Sequence, residues 1–444
     1  MIDFLQSNFS DIQIGLLGLA TLFGLIALRV PIGIALIGVS FAGIYLLIGP
    51  RGAWGALTTM PYRFTAQAIL SSIPMFLFLG FISYHTQLTK GLFNAARVWL
   101  SGLPGGLAIA SIFGSAGFAA VSGSTIACSA AMGRIAIPEM MRQRYSPDLA
   151  TGTVAVAGTI GALIPPSIIL ILYGVIAGVN VTHLFLAGMV IGLMTAVGYV
   201  VVVLVRVKLN PSIAPGIEER YTLAEKIYAL KDTWPIIVII IGIFGGLFGG
   251  VFTPTEAGAV GSALACLVAL VSGRMTLARF VAAVRETVMT TAAILIIGIG
   301  ATLLTRFLAL SGAGDFMAAN IMGITDNQVL LLLGIVCVYL ILGMVLEPIG
   351  AMMLTLPIML PVAGEMGWSL LWFGIILVKL LEIGMLTPPI GMNVFVIKSV
   401  VGRAVAIMTI FKGVTWFIVM DLFLIAILAS YPGLVTWVPA YLAR

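Results

Sequence analysis

Long apolar runs, separated by short polar breaks, extend along the whole chain. They predict helices that cross a bilayer at roughly 12–31, 32–49, 72–90, 148–178 and 182–205, and again at 235–251, 255–272, 289–310, 370–397 and 407–430. A bilayer core takes about 20 apolar residues per helix. Two further stretches, 105–141 and 328–364, are interrupted halfway by small or helix-breaking residues and read as hairpins that enter and leave on one side. The one long polar stretch, 206–234, reads as a connector with an amphipathic helix. The expectation is an all-α polytopic membrane protein. Its first half covers 1–205 and its second 235–444, each with five spans and one re-entrant hairpin.

Composition removes the alternatives. Of 444 residues, 61% are hydrophobic and 9% charged, and the mean hydropathy is +1.20. A soluble domain carries about 25% charged residues, so soluble enzymes and nucleic-acid binders are excluded. The net charge of +6 comes from 22 Lys and Arg scattered singly between apolar runs, which is how topology-setting charges are placed. With the acidic N-terminus (Asp3, Asp11) outside, Arg29, Lys90, Arg97, Arg142, Arg206, Lys208, Arg274, Arg285, Lys398 and Lys412 fall on the cytoplasmic side. Arg51, Arg63, Arg306 and Arg444 are exceptions. Both termini are then periplasmic and the connector cytoplasmic. Cys128, Cys266 and Cys337 have no metal-ligand spacing, and only two histidines, His85 and His183, are present.

The halves align without gaps when 223 is added to the numbering of the first. Pro31 meets Pro254, Gly38 meets Gly261, and GLFNAAR at 91–97 meets GDFMAAN at 314–320. Pro138 meets Pro361, Gly161 meets Gly384, and Pro165-Pro166 meets Pro388-Pro389. With 20 prolines in 444 positions, fewer than one proline match is expected by chance at any one offset, and four occur. Five crossings per half is an odd number, so the second half enters the membrane inverted. Inverted repeats with helices interrupted at matching places point to a secondary transporter.

Three segments carry the candidate chemistry. Ser122-Gly123-Ser124-Thr125 forms the middle of the first hairpin; a polar turn at membrane depth is tolerated where protein or a water-filled cavity surrounds it. Its hydroxyls and freed carbonyls suit a hard cation or a polar substrate, with close helix packing as the alternative. The second segment is 158–166 with its mate 381–389. Each proline removes the N–H that would bond the carbonyl four residues earlier, so Pro165 frees Gly161 and Pro388 frees Gly384; the second proline of each pair frees Ala162 or Met385. An oxygen-rich gap of this kind suits a dehydrated Na⁺, and half-helix dipoles facing it suit an anion; a plain proline kink is the alternative.

The third segment is Glu347-Pro348-Ile349-Gly350, the tip of the second hairpin, where Glu347 coincides with Ser124 at the same offset. A carboxylate at this depth needs a partner, a proton or a cation. A helix-capping role is open for Glu347 and, more so, for Glu382. Gly123 and Ser124 at one tip, with Pro348 and Gly350 at the other, are the candidate substrate contacts. Thr253-Pro254-Thr255-Glu256 reads as helix-capping chemistry. An intramembrane hydrolase with Ser122 or Ser124 as nucleophile would need a general base, and neither histidine is suitably placed.

The runs LPGGLAIASIFGSAGFAAVSGSTIACSAAMGRIAIPEM, TGTVAVAGTIGALIPPS, FTPTEAGAVG, LEPIGAMMLTLPIMLPVA and LEIGMLTPPIGMN resemble the large membrane subunit of tripartite ATP-independent periplasmic (TRAP) transporters, from about residue 12 to 430. The resemblance implies a Na⁺-coupled importer of small organic acids in the bacterial inner membrane, with a fixed scaffold and a transport domain that moves as an elevator. Carried over, a first sodium site would use Ser122 and Thr125 with backbone carbonyls at Gly161, Leu163 and Pro166. A second would use the Glu347 region with Gly384, Leu386, Thr387 and Pro389. Cys128 stands where the pattern has a hydroxyl, and Glu347 where aspartate is frequent. The resemblance also implies two partners, a small four-helix membrane subunit and a soluble periplasmic binding protein. An autonomous carrier without a binding protein is the alternative within transport.

Overall fold

The computed structural model describes residues 9–215, 221–324 and 327–442. Asp3 and Arg444, used above for orientation, lie outside these residues, as does 216–220 of the connector.

The first half opens with α1 (Asp11–Ala27), α2 (Ile32–Thr65) and α3 (Ser72–His85), followed by a short α4 (Lys90–Leu100). The first hairpin is α5 (Gly106–Ser122) and α6 (Thr125–Arg142). Then come α7 (Pro147–Thr159), a 3₁₀ turn (Ile160–Ala162), α8 (Ile168–Ala177) and the long α9 (Val181–Leu209). The connector carries α10 (Leu223–Ala229). The second half runs α11 (Trp234–Phe248), α12 (Pro254–Val271), α13 (Leu277–Ser311), α14 (Ala313–Ile324), the hairpin α15 (Gln328–Val345) and α16 (Pro348–Glu365), α17 (Leu370–Gly384), α18 (Met392–Val401), α19 (Ile407–Ser430) and α20 (Gly433–Leu442). Among the described residues, nine helical stretches are long and apolar enough to cross a membrane.

Helix bounds follow the offset read from the sequence. Adding 223 to α6 gives 348–365, the bounds of α16, and adding it to α8 gives 391–400 against 392–401 for α18. The halves differ most at one place. α13 is a single 35-residue helix, whereas the matching first-half segment is α2's second part followed by α3. Pro74, in the first turn of α3, marks where the first-half helix is interrupted, since no proline occurs between 277 and 311.

Several elements differ from the sequence expectation. Residues 50–65 continue α2 as helix beyond a non-helical Gly49 (φ 76°, ψ 179°). Gly49 accepts that conformation without a Cβ clash, and Pro50 then starts the second piece, where its missing N–H costs nothing. α4, α14 and α20 are too short or too mixed to stand out as apolar runs. The predicted spans 148–178 and 370–397 are each divided in two.

Small residues set how closely helices approach. α2 and α13 cross with Gly33 against Ile296 and Gly300 against Leu36, and Gly18 and Gly43 close around the ring of Phe307. α7 and α19 meet backbone to backbone at Gly152 and Gly413. Such contacts give helices in lipid their van der Waals attraction. Both pairs join one half to the other. At the start of α12, Thr253 accepts from Glu256 N–H at 3.3 Å while the Glu256 carboxylate accepts from Thr253 N–H at 2.8 Å, the capping box expected from the sequence.

A β-carbon added at Gly152 would lie 2.5 Å from the Gly413 carbonyl carbon. Gly152→Val is therefore expected to destabilise the protein by about 1–3 kcal/mol, read as a lower midpoint of thermal unfolding in detergent. Gly178→Val, at a left-handed cap with open space around it, serves as the comparison for strain without a helix–helix clash.

Candidate functional site

Both twin-proline segments interrupt a helix. In the first, α7 stops at Thr159 and the 3₁₀ turn ends in Leu163 and Ile164, whose N–H groups both bond the Ile160 carbonyl (3.1 and 3.0 Å). Pro165 and Pro166 follow, and Ser167 restarts the chain as α8 by accepting from Leu170 N–H at 3.3 Å. In the second, α17 ends at Gly384 and α18 starts at Met392 behind a left-handed Gly391 (φ 60°). The bonds Pro165–Pro166 and Pro388–Pro389 are both cis.

Of the four carbonyls that the prolines release, three find new donors. Ala162 accepts from the Ser167 hydroxyl at 2.5 Å, Met385 accepts from Asn393 N–H at 3.1 Å, and Gly384 accepts from Thr387 N–H at 3.1 Å. The sequence reading of bare carbonyls at Ala162, Met385 and Gly384 is corrected accordingly. The cause is local: each break supplies a hydroxyl or an N–H that turns back. Gly161 is the one of the four whose carbonyl has no hydrogen bond among the described residues. A carbonyl with one donor still has a lone pair for another partner.

The first hairpin tip lies directly on the first break. Gly123 is left-handed (φ 59°) and faces the Pro166 carbonyl so closely that no side chain fits between them. A β-carbon at Gly161 would lie 3.5 Å from the Ser124 carbonyl. Ser124 caps α6 by accepting from Ala127 N–H at 3.3 Å, so its hydroxyl is already engaged. Ser122 is different: its side chain is buried, and its hydroxyl has no partner. An unpaired buried hydroxyl costs about 1–3 kcal/mol, which a bound ligand would recover. Thr125, also buried, has its hydroxyl 3.8 Å from the Met385 sulfur, so the first tip touches the second break as well. Cys128 bonds the Ser115 carbonyl at 3.4 Å inside the hairpin.

The second hairpin meets its own break through an arm. Gly343 of α15 and Gly384 press backbone to backbone, a β-carbon on Gly384 lying 2.7 Å from the Gly343 α-carbon. At the tip, the Glu347 carboxylate accepts from Gly350 N–H at 3.2 Å and caps α16. Gly350 faces Ile32 of α2. Leu163 and Leu386 are fully buried, Thr387 donates to the Ile383 carbonyl at 2.7 Å, and Pro388, Pro389 and Ile390 are exposed. The structure thus gathers Ser122–Thr125 with Gly161–Pro166, and places Glu347, Pro348 and Gly350 at a separate tip, with no hydrogen bond from Glu347 to 384–389 among the described residues.

One polar cluster escaped the sequence reading. Lys379 Nζ lies 3.0 Å from Glu382 Oε2 and 2.8 Å from Asp421 Oδ1, and Tyr199 donates to Asp421 Oδ2 at 2.8 Å. All four side chains are fully buried. They join α17, α19 and α9. The cue was an ionisable residue inside each of the spans 370–397 and 407–430, since such residues are rare at membrane depth and face the protein interior. The two histidines are peripheral: His85 pairs with Glu286 at 3.2 Å between α3 and α13, and His183 sits in the first turn of α9, its N–H bonded to Asn180.

A polytopic helical membrane protein with two broken helices, each packed against a helical hairpin, has the architecture of a secondary transporter. The chain belongs to the family described as "Tripartite ATP-independent periplasmic transporter, DctM component", whose model matches residues 19–434. It is 30% identical over 426 residues to the sialic acid TRAP transporter large permease protein SiaM of Vibrio cholerae, covering 94% of this chain and 96% of that one. The C4-dicarboxylate TRAP transporter large permease protein DctM of Pseudomonas aeruginosa is 34% identical over 407 residues, covering 91% and 92%. Among solved structures, the crystal structure of the YdaH transporter of Alcanivorax borkumensis matches with a TM-score of 0.61 at 17% identity, covering 88% of this chain and 90% of that one. That likeness is one of fold.

The buried cluster makes a stability prediction. Lys379→Met strands two buried carboxylates and is expected to cost about 3–5 kcal/mol. The check is the thermal midpoint and yield of monodisperse protein, with Lys379→Arg closer to the parent.

Proposed function

We propose that this chain is the permease subunit of a Na⁺-coupled importer of a small organic acid in the bacterial inner membrane, supplied by a periplasmic binding protein and assembled with a small four-helix membrane subunit. The observation that carries the reading is the first hairpin tip against the first break. There the orphaned Ser122 hydroxyl and the unbonded Gly161 carbonyl occur in one buried contact region. Oxygen ligands without competing donors suit a hard alkali cation. The first cation site consists of Ser122, Thr125, Gly161, Leu163 and Pro166. The second consists of Gly384, Leu386, Thr387 and Pro389 with the Glu347 region. Gly123, Ser124, Pro348 and Gly350 stand at the two tips, where α6 and α16 begin and the helix dipoles favour an anionic substrate.

The class of substrate follows the relatives, whose names specify sialic acid, C4-dicarboxylates and, for a permease of Oleidesulfovibrio alaskensis, isethionate. All are organic acids. The halves insert with opposite orientation, and the broken helices with their hairpins move as an elevator against a scaffold that includes the α2–α13 pair. Lipid covers the outer faces, where Leu193, Val197, Ile241 and Phe423 are exposed.

In proteoliposomes containing both membrane subunits, uptake is expected only with an inward Na⁺ gradient and a liganded binding protein. Uptake that ignores sodium, or needs no binding protein, would count against the reading. Ser122→Ala is expected to raise the half-saturating Na⁺ concentration about tenfold with little change in protein abundance, a loss of about 1.4 kcal/mol; equal loss of both would mean a packing role. Glu347→Gln keeps an oxygen for the Gly350 N–H but loses the charge. Unchanged Na⁺ dependence in that variant would assign Glu347 to capping alone.

A further inference from the structure

The Lys379 cluster does more than join three helices. Two carboxylates, Glu382 and Asp421, surround one ammonium, and Lys379 is their sole basic partner among the described residues. With both carboxylates ionised, the formal sum is one negative charge. Tyr199 donates a hydrogen bond to Asp421 but brings no positive charge, and Glu382 Oε1 is buried without any hydrogen-bond partner. We propose that this surplus charge is the fixed counter-charge for the cation bound at the second break, acting through space without ligating it. The inference rests on the sodium reading above.

Three observations lead to it. A buried ion cluster with unequal charges is unfavourable in hydrocarbon unless a carboxylate takes a proton or an opposite charge lies close by, so a nearby cation and the ionised cluster favour each other. Packing does not require the surplus, because a neutral or apolar cluster of the same volume joins helices as well or better. The position is suited to a cation at the break: Glu382 lies two residues before Gly384, about 3 Å along the helix axis. Two residues also turn the helix by about 200°. Glu382 therefore faces α19 and α9 while Gly384 faces Gly343 of α15, which excludes direct ligation by the carboxylate and leaves a Coulomb interaction across the helix. The far end of the cluster approaches the first break, since the Tyr199 hydroxyl lies 3.5 Å from that of Thr159, the last residue of α7. The two segments that interrupt the membrane helices thus flank the same buried negative charge.

Charge and architecture separate by experiment. The full chain, purified in detergent, is titrated with NaCl against choline chloride at constant ionic strength, and the Na⁺ concentration for half-maximal thermal stabilisation is read. Asp421→Asn keeps the shape of the cluster and removes the surplus charge; the half-maximal Na⁺ concentration is expected to rise about tenfold. Lys379→Met/Asp421→Asn restores the net charge of −1 and is expected to return within about threefold of the parent, although it removes more contacts. A parent-like value for Asp421→Asn, or a double variant further from the parent than the single one, would overturn the proposal. Should Asp421→Asn fail to give monodisperse protein, Glu382→Gln and Lys379→Met/Glu382→Gln carry the same charge logic. An unmodified protein whose stability does not distinguish Na⁺ from choline would remove the sodium reading and this inference together. A normal response in the parent with no change in the variants removes the inference alone.

Discussion

In hydrocarbon, a backbone N–H or C=O without a partner has no water to turn to, and each one left bare costs several kcal/mol. This chain breaks a membrane helix twice, and its architecture is a response to that cost. Around each break the freed groups are taken up locally: the Ser167 hydroxyl turns back to Ala162, Asn393 N–H to Met385 and Thr387 N–H to Gly384. Among the groups still without a partner are the Gly161 carbonyl and the Ser122 hydroxyl, both buried and both at the contact between hairpin and break.

The hairpins are needed because the breaks cannot face lipid. Close cover requires residues without side chains, and glycine stands at the tightest points of contact: Gly123 under the Pro166 carbonyl and Gly343 against Gly384. Gly123 is also held in the left-handed region at the end of α5, where other residues are strained. One residue therefore ends a helix, turns the chain and admits a carbonyl. Three separate demands fix its identity.

Much of this could be read from the sequence, and the boundary of legibility has a physical basis. Features encoded over a few residues were visible: the Thr253–Glu256 capping box, the proline pairs that interrupt α7–α8 and α17–α18, and the small-residue turn at Ser122–Thr125. Features that depend on distant partners were not. Lys379 and Asp421 are 42 positions apart, and only the packing of α17 on α19 makes them a cluster with Glu382. The rebonding of Gly384 and Met385 was missed for a related reason. A proline rule states which donor is lost and is silent on which donor replaces it. Helices such as α4 and α14 carry too few apolar residues in a row to register as runs, though their matched positions at one offset were in view as GLFNAAR and GDFMAAN.

The way the helices are joined also determines what can move as a unit. Neither half is self-contained: α2 closes on α13 through Gly33, Gly43 and Gly300, and α7 closes on α19 through Gly152 and Gly413. Asn393 of α18 donates to Ala155 of α7 at 3.3 Å, and Tyr173 of α8 donates to Leu370 at the head of α17 at 2.6 Å. With the Lys379 cluster, these links hold both broken helices and α9 in one framework drawn from both halves. Separating the halves would open backbone contacts with no space for water or lipid and break the Tyr199–Asp421 hydrogen bond that covers the buried cluster. Both breaks are therefore held by contacts drawn from the two halves, and so is the long glycine-lined α2–α13 pair.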